Sequence, residues 1–280
     1  MIGRLSGISW LAWPRPAPRP LRYELGTGAQ VDTSDLQLQQ ASRLARKCTR
    51  VLCRDGTLAP ADAASSHQVA LRLAALPPEA QEQLKRARLR IVVLDSENPP
   101  RGGYPGKVLG SPDRWEEGLG AQYHYQRKEI LVPRRYLEAP FSGVGDSLLH
   151  ELGHALSDAK VVDRGRLMTL DDDPRLLELF EAYRKRCGFK PAEPKPEGHD
   201  FNQPMILEFE RQEEAWSLYA VTEPREYLAE GLSHLLSGGE KKEKLARQDG
   251  QLVEYLRDFL IAPTRGGSPF GLWDPRPERP

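Results

Sequence analysis

Hydrophobic positions recur along the chain with two different periods, which predict both helices and strands. A helical period runs through 35–53 and again through 79–88. A nearly continuous apolar run, LRIVVL at 89–94, is typical of a buried strand. Shorter apolar segments at 121–125 and 129–132 flank the polar turn QRK and predict the two arms of a β-hairpin. We therefore expect a fold of the α+β class.

Helical periodicity predominates in the second half of the chain. It predicts helices over 145–157 and 174–187, and over most of 205–260. Prolines and glycines cluster in other stretches, such as the long irregular segment 95–120 and the linker 188–204. The expected architecture is a small sheet packed on one helix, followed by a mainly helical C-terminal half.

The same changes of pattern divide the chain into four segments. Residues 1–30 are expected to form a flexible lead rich in proline and arginine, and residues 31–75 an N-terminal helical segment. Within that segment the small, polar residues 60–66 predict a loop. Residues 76–262 are predicted to form the main domain, and residues 263–280 a tail rich in proline and glycine.

Composition limits the kinds of partner. The 40 Lys and Arg residues balance 40 Asp and Glu residues, and no long block of one charge occurs, so nothing indicates a nucleic acid as partner. No apolar run approaches the length of a membrane span. The short apolar stretch 8–13 is a poor match to a secretory signal, so the compartment stays open. Three cysteines do not favour a disulfide framework.

The segment HELGH, which begins at His150, carries the most specific chemical signal. His150 and His154 are four residues apart, so on a helix they lie about one turn apart on one face and can bind the same cation. Glu151 follows the first histidine directly, in the position of the general base in this zinc motif. Leu149 and Leu152 belong to a separate apolar stripe that can anchor the helix in the core. The motif predicts one zinc ion (Zn2+) per chain.

A catalytic zinc site takes three protein ligands, so one ligand must come from elsewhere in the sequence. The metzincin spacing would require histidine at position 160, where the chain has Lys160, and that class is excluded. A later helix, which Thr222 can cap, carries Glu226 and Glu230 four residues apart. Glu226 is the expected third ligand, and Glu230 is expected to accept the other ring N–H of a ligating histidine.

Other assignments remain open for these positions. His234, one turn beyond Glu230, could replace Glu226 as ligand, and His199 with Asp200 in the proline-rich linker is a weaker candidate. Without the histidine motif, Glu226 and Glu230 would predict only a solvent-exposed acidic face.

Taken together, these residues resemble a known family of zinc peptidases. The HELGH motif, the later sequence EYLAE beginning at Glu226, and Tyr219 seven residues before Glu226 are similar to the catalytic domain of anthrax toxin lethal factor and to the related bacterial Pro-Pro endopeptidases. The family has two phenylalanines where this chain has Tyr227 and Leu228. The resemblance covers roughly 89–260, and the linker 188–204 looks long for the family.

The resemblance implies a fold, an activity and a set of roles. It implies a zincin-like metallopeptidase domain over 76–262, acting as a zinc-dependent endopeptidase that hydrolyses peptide bonds through a metal-activated water. It implies that zinc is bound by His150, His154 and Glu226. Glu151 would act as the general base, and Tyr219 would stabilise the oxyanion. Glu230 would accept a hydrogen bond from a ligating histidine without binding the metal itself. Trp115 would line the substrate groove, although a core tryptophan is an equally good interpretation. The resemblance also implies a protein or peptide substrate, a preference for substrates that contain proline, and a secreted location.

Two other classes of function remain open. One is a non-catalytic module that binds a metal or a peptide. A coordination position of the zinc ion left free by the protein would argue against it, because structural zinc sites have four protein ligands. The other is a toxin or effector that carries this peptidase domain and uses residues 1–75 for delivery or docking. For the peptidase, an extended substrate could add along an edge strand, for which 129–132 is the candidate.

Overall fold

The computed structural model describes the chain in several separate ranges. They are residues 21–25, 30–53, 56–94, 121–138, 146–162, 173–190, 208–209 and 212–261. Helices and a small mixed sheet are both present in these ranges, which confirms the predicted α+β class.

A mixed five-stranded sheet lies at the centre of the described fold. Its strands, in sheet order, are β4 (Leu58–Pro60), β3 (Thr49–Leu52), β5 (Arg90–Leu94), β7 (Glu129–Pro133) and β6 (Gln122–His124). The three inner strands run parallel to one another, and each edge strand runs antiparallel to its neighbour. β6 and β7 form the hairpin that the sequence predicted. The strand proposed as an edge, 129–132, is not one: β7 is paired on both sides, and β6 is the edge strand.

Side chains alternate between the two faces of this sheet, as the pleat of a strand requires. One face contributes Ile91, Val93, Ile130 and Val132 to the main core, and the other carries Leu52, Val92, Leu94 and Leu131. Because both faces of β5 and β7 are buried, their sequences are continuously apolar rather than alternating, as is usual for inner parallel strands.

Nine α-helices lie within the described ranges, together with two short strand pairs. The helices are α1 (Asp35–Cys48), α2 (Ala63–Ala74), α3 (Pro78–Arg86), α4 (Arg135–Glu138), α5 (Ser147–Val162), α6 (Pro174–Arg186), α7 (Pro224–Ser237), α8 (Gly239–Gln248) and α9 (Gly250–Ile261). The strand pairs are β1 (Leu21–Glu24) with β2 (Gln30–Thr33), and β8 (Phe189–Lys190) with β9 (Glu208–Phe209). Within the described residues, none of these helices combines the length and the apolar character needed to cross a bilayer.

The helix α5 carries the HELGH motif and packs directly against α7. Its apolar stripe, including Leu149, Leu152 and Leu156, is fully buried in the main core. Gly153 lies on the side that meets α7, where a Cβ atom would come within 2.9 Å of the Ala229 Cα atom. The two helices therefore approach so closely because Gly153 has no side chain.

Two predictions for the N-terminal part of the chain were wrong. The helix predicted over 35–53 ends at Cys48, because the next four residues pair as β3 with the distant β5. The loop predicted over 60–66 contains the start of α2, which Asp62 caps by accepting a hydrogen bond from the Ser65 backbone N–H. β1 lies within the stretch 1–30 that was predicted as a lead, and its hairpin with β2 covers α2 at Leu71. The division of the chain into four segments stays a prediction.

The described part of 31–75 shares its core with the rest of the fold. β3 is an inner strand of the sheet, and α1 and α2 contribute buried side chains such as Ala45 and Val69 to the main core. A separate functional role for this segment stays a prediction. Residues 1–20, the whole irregular stretch 95–120, most of the linker 188–204 and the tail from 262 onward lie outside the described residues.

Candidate metal centre

The start of α5 is fixed by a buried ion pair. The Asp146 side chain accepts a hydrogen bond from the Leu149 backbone N–H at 3.0 Å, and its carbonyl accepts one from the His150 backbone N–H at 2.9 Å. The Asp146 carboxylate is in turn held by the Arg72 guanidinium of α2, at 2.8–2.9 Å, and both side chains are fully buried. This contact sets where the helix begins, and therefore where its histidines point.

The start of α7 differs from the prediction, which had Thr222 as its cap. Glu223 takes the extended cap conformation, and Pro224 occupies the first turn. Thr222 has helical backbone angles, and its hydroxyl donates instead to the Tyr219 carbonyl at 2.8 Å. Glu226 consequently lies in the first turn of α7, where the unpaired backbone N–H groups favour a negative charge.

The three expected ligands converge on one point between α5 and α7. The Nε2 atoms of His150 and His154 are 3.1 Å apart. The Glu226 Oε2 atom is 3.1 Å from His150 Nε2 and 3.3 Å from His154 Nε2. Glu226 Oε2 is buried, and within the described residues it accepts no hydrogen bond of good geometry. These three side chains could together hold a metal ion.

The spacing of these atoms fits a zinc ion. In a tetrahedral site with ligand bonds of about 2.05 Å, neighbouring ligand atoms lie about 3.3 Å apart. The observed separations of 3.1–3.3 Å are close to that edge length. Two imidazole nitrogens and one carboxylate oxygen are also a donor set that zinc accepts. The residues present therefore fit the predicted cofactor, and three ligands leave one tetrahedral position for a further group.

Glu230 lies one turn beyond Glu226 and holds the orientation of His150. Its side chain is fully buried, and Oε1 is 2.9 Å from His150 Nδ1. In the neutral tautomer that donates from Nδ1 to this carboxylate, the lone pair of Nε2 faces the cluster. Burial opposes the charged form of Glu230, but the hydrogen bond and charge of His150 outweigh burial and lower the pKa of Glu230. The carboxylate is therefore ionised at neutral pH.

Charges within the cluster stabilise one another when no cation is bound. Burial disfavours the imidazolium of His150, but its contacts with Glu226 and Glu230 outweigh burial and raise its pKa to about 10. Burial likewise disfavours the carboxylate of Glu226, yet the close contacts with the two imidazoles hold its pKa well below the ordinary value. A cation that binds here replaces the proton of His150, because a ligating imidazole must be neutral.

Glu151 directly follows His150 on α5 and is almost completely buried. Burial raises the pKa of Glu151, and the neighbouring imidazoles of His150 and His154 only partly offset that rise. A carboxylate with a raised pKa is a stronger proton acceptor than an ordinary glutamate, which is the direction that a general base requires.

Tyr219 lies on a short 3-10 helix, Tyr219–Val221, just before α7. Its ring centroid is 5.8 Å from that of His150, and 47% of the residue is exposed. Burial of the hydroxyl and the nearby carboxylates of Glu226 and Glu151 raise the pKa of Tyr219, so the phenol keeps its proton. Its side chain borders the cluster on the solvent side.

The remaining candidates do not join the cluster. His234 lies behind Glu230, with its Nε2 atom 3.7 Å from Glu230 Oε2 and its ring against Trp216. Burial lowers the pKa of His234 to about 4, so it is neutral at physiological pH. Trp115, and the pair His199 and Asp200, lie outside the described residues.

Sequence reasoning missed the residues that support the cluster. Asp146 could have been found, because an aspartate three residues before the Leu149 backbone N–H is a recognisable helix cap. Arg72 could not, because it is 74 residues away from Asp146 and lies on a helix that the sequence did not predict. Ser217, whose hydroxyl reaches Glu230, also gave no signal in the sequence.

No protein-family model matches the sequence, and no curated protein sequence matches it either. Among solved structures, a Pro-Pro endopeptidase from Paenibacillus alvei is similar, with 16% sequence identity and a TM-score of 0.44. The match covers 77% of this chain and 98% of that chain. This likeness is too distant to assign an activity, so the functional conclusion depends on the geometry of the cluster.

Proposed function

We propose that this chain is a zinc-dependent endopeptidase with a zincin-like catalytic domain. The observation that carries the proposal is the convergence of His150 Nε2, His154 Nε2 and Glu226 Oε2 within 3.1–3.3 Å of one another. Three atoms that each present a lone pair would repel one another at this distance unless a proton or a cation lay between them. A divalent cation satisfies all three at once.

The number of ligands favours catalysis over a purely structural site. Structural zinc sites are closed by four protein ligands, whereas catalytic sites keep one position for solvent or substrate. Among the described residues, the metal-binding group consists of His150, His154 and Glu226 alone. Glu230 and His234 lie behind His150, where they support a ligand rather than complete the shell.

The chain's own residues supply the acid–base and electrostatic steps. A bound zinc ion supplies Lewis acidity, which activates water and polarises the carbonyl of a peptide bond. Glu151 accepts the proton of the attacking water and passes it to the leaving amine. The Tyr219 hydroxyl, which stays protonated, donates a hydrogen bond to the oxygen that becomes negative in the transition state. Glu230 keeps His150 in the tautomer and orientation that ligation requires.

The proposed substrate class follows from this chemistry and from the sheet. A protein or peptide chain could pair by strand addition with β6, which is an edge strand among the described residues. β6 contacts α5, the helix that carries Glu151. A preference for proline-containing sequences enters the proposal only through the resemblance.

Metal analysis and a peptide library test the proposal on a small set of variants. We expect one zinc ion per chain in the wild type, and loss of both zinc and cleavage in His150→Ala and Glu226→Ala. Glu151→Gln should keep zinc and lose turnover by a factor of about 100 or more. Tyr219→Phe should also keep zinc, with turnover reduced about 100-fold.

Matched controls separate these effects from general damage. His67 on α2 and Glu254 on α9 are exposed residues of the same types, outside the cluster. His67→Ala and Glu254→Gln should therefore leave zinc content and cleavage unchanged. Cleavage at the wild-type rate by Glu151→Gln would rule out the proposed mechanism.

A further inference from the structure

Ser217 lies in the segment before α7, and its side chain contacts the carboxylate of Glu230. It lies between the short 3-10 helices Gln212–Glu214 and Tyr219–Val221, two residues before Tyr219. Its Oγ atom is 2.8 Å from Glu230 Oε2, the carboxylate oxygen that does not contact His150. Ser217 is therefore connected to the expected ligand His150 through the carboxylate of Glu230, which contacts both side chains.

The hydroxyl of Ser217 has a defined direction. It accepts a hydrogen bond from the Ala220 backbone N–H at 3.4 Å, so its proton is directed to Glu230 Oε2. Glu230 is fully buried, and a buried carboxyl group needs hydrogen-bond partners on both oxygens. His150 Nδ1 supplies one donor and Ser217 Oγ the other, because His234 Nε2 is 3.7 Å from Oε2, beyond hydrogen-bonding distance.

The backbone of Ser217 is held independently of its side chain. The Tyr183 hydroxyl of α6 donates to the Ser217 carbonyl at 2.6 Å and accepts from the Ser217 backbone N–H at 3.2 Å. Tyr183 is itself fully buried in the main core and stacks near Trp216. The backbone position from which the Ser217 side chain projects is thus set by the core and does not depend on Glu230.

We propose that Ser217 is a positioning residue for the zinc site. Its hydroxyl fixes Glu230 in the conformer that orients His150, and the same hydroxyl starts the turn that carries Tyr219. One side chain thereby couples the orientation of a ligand to the position of the oxyanion donor. This inference rests on the proposed zinc site, and it assigns Ser217 no contact with the substrate or the metal.

Zinc titration of the full-length metal-free protein, with a competing chelator, tests this role. Ser217→Ala removes only the hydroxyl and should weaken zinc binding by about 10- to 100-fold. The turnover number of the zinc-loaded variant should fall by a similar factor, with little change in KM, because the substrate contacts are unchanged. Ser237→Ala is the matched control, since Ser237 is a buried serine of α7 whose hydroxyl has no hydrogen-bond partner among the described residues.

A double-mutant cycle shows whether Ser217 acts through Glu230. Glu230→Gln should weaken zinc binding by itself, and Ser217→Ala should then add much less than it does in the wild-type background. Full additivity of the two effects would overturn the proposal, as would wild-type zinc affinity in Ser217→Ala. Lower thermal stability of metal-free Ser217→Ala with unchanged zinc affinity would also overturn it, because that result is the signature of a merely structural serine. If the wild type itself bound no zinc, the proposed function would fail first, so the two failures are distinguishable.

Discussion

Substitution of Gly153 by alanine tests whether the contact between α5 and α7 holds the metal ligands together. An added Cβ would lie 2.9 Å from the Ala229 Cα atom and 3.3 Å from both Ala229 Cβ and Leu232 Cδ1. Carbon atoms prefer separations of about 3.5–4.0 Å, so the helices must move apart by about 0.6–1 Å at this point. The first of these contacts is with backbone, which cannot rotate out of the way as a side chain could.

The displacement has a larger effect on the site than on the stability of the fold. Overpacking costs about 1–3 kcal/mol, and the better helix propensity of alanine returns about 1 kcal/mol, so the net loss of unfolding free energy is about 0–2 kcal/mol. Glu226 is one turn from Ala229 on α7, and a shift of about 0.6–1 Å exceeds the tolerance of about 0.2 Å in zinc–ligand distances. We therefore expect zinc affinity to fall by at least about tenfold, since this corresponds to only about 1.4 kcal/mol.

Chelator competition and urea denaturation of the metal-free protein measure the two effects separately. Gly250→Ala is the matched control, because a Cβ at Gly250 would meet nothing within 4 Å. It should change neither zinc affinity nor turnover. Wild-type zinc affinity in Gly153→Ala would refute the reasoning, because the ligands would then not depend on the close approach of the two helices.

Two further predictions concern elements that support the site. Arg72→Met should lower the unfolding free energy by about 3–5 kcal/mol in urea denaturation, because it leaves the buried Asp146 carboxylate unpaired; a loss below about 1 kcal/mol would contradict this. Asp62→Ala should cost about 1 kcal/mol at pH 7 through loss of the cap of α2. The Ser65 backbone N–H, and to a lesser degree Arg134, lower the pKa of Asp62 to about 2, so its contribution is complete above about pH 4 and disappears as pH falls towards 2. The difference between variant and wild type should accordingly shrink between about pH 4 and about pH 2 in denaturation curves, and a difference that grew over this range would contradict the assignment.

The parts of the fold that sequence reasoning predicted well are those with local signals. The hairpin of β6 and β7 has its turn within the same short segment, and α5 and α7 show their apolar faces in their own sequences. The expectation that Glu226 would come close to the two histidines depended on the need for a third zinc ligand and on the family resemblance, since 71 residues lie between His154 and Glu226 in the chain. No local sequence pattern indicates that two residues so far apart in the chain come into contact.

The parts that were missed depend on contacts between distant residues. Thr49–Leu52 continues a helical pattern in sequence and becomes a strand only because it pairs with β5, which lies about forty residues later. The start of α2 is rich in alanine and serine, a composition that also occurs in loops. It is recognisable as a helix start only when Asp62 is identified as its N-cap. Ser217 reaches Glu230 through an irregular segment, and the position of such segments is set by packing rather than by periodicity.

X-ray absorption at the zinc edge of the purified wild-type protein tests the central claim most directly. We expect one zinc ion per chain, bound by two imidazole nitrogens at about 2.0–2.1 Å and by a carboxylate oxygen at about 2.0–2.2 Å, with one light atom from solvent. The same spectrum in Glu226→Ala should lose this shell together with the metal. A protein that retains no zinc, or one whose zinc environment is unchanged in Glu226→Ala, would contradict the account.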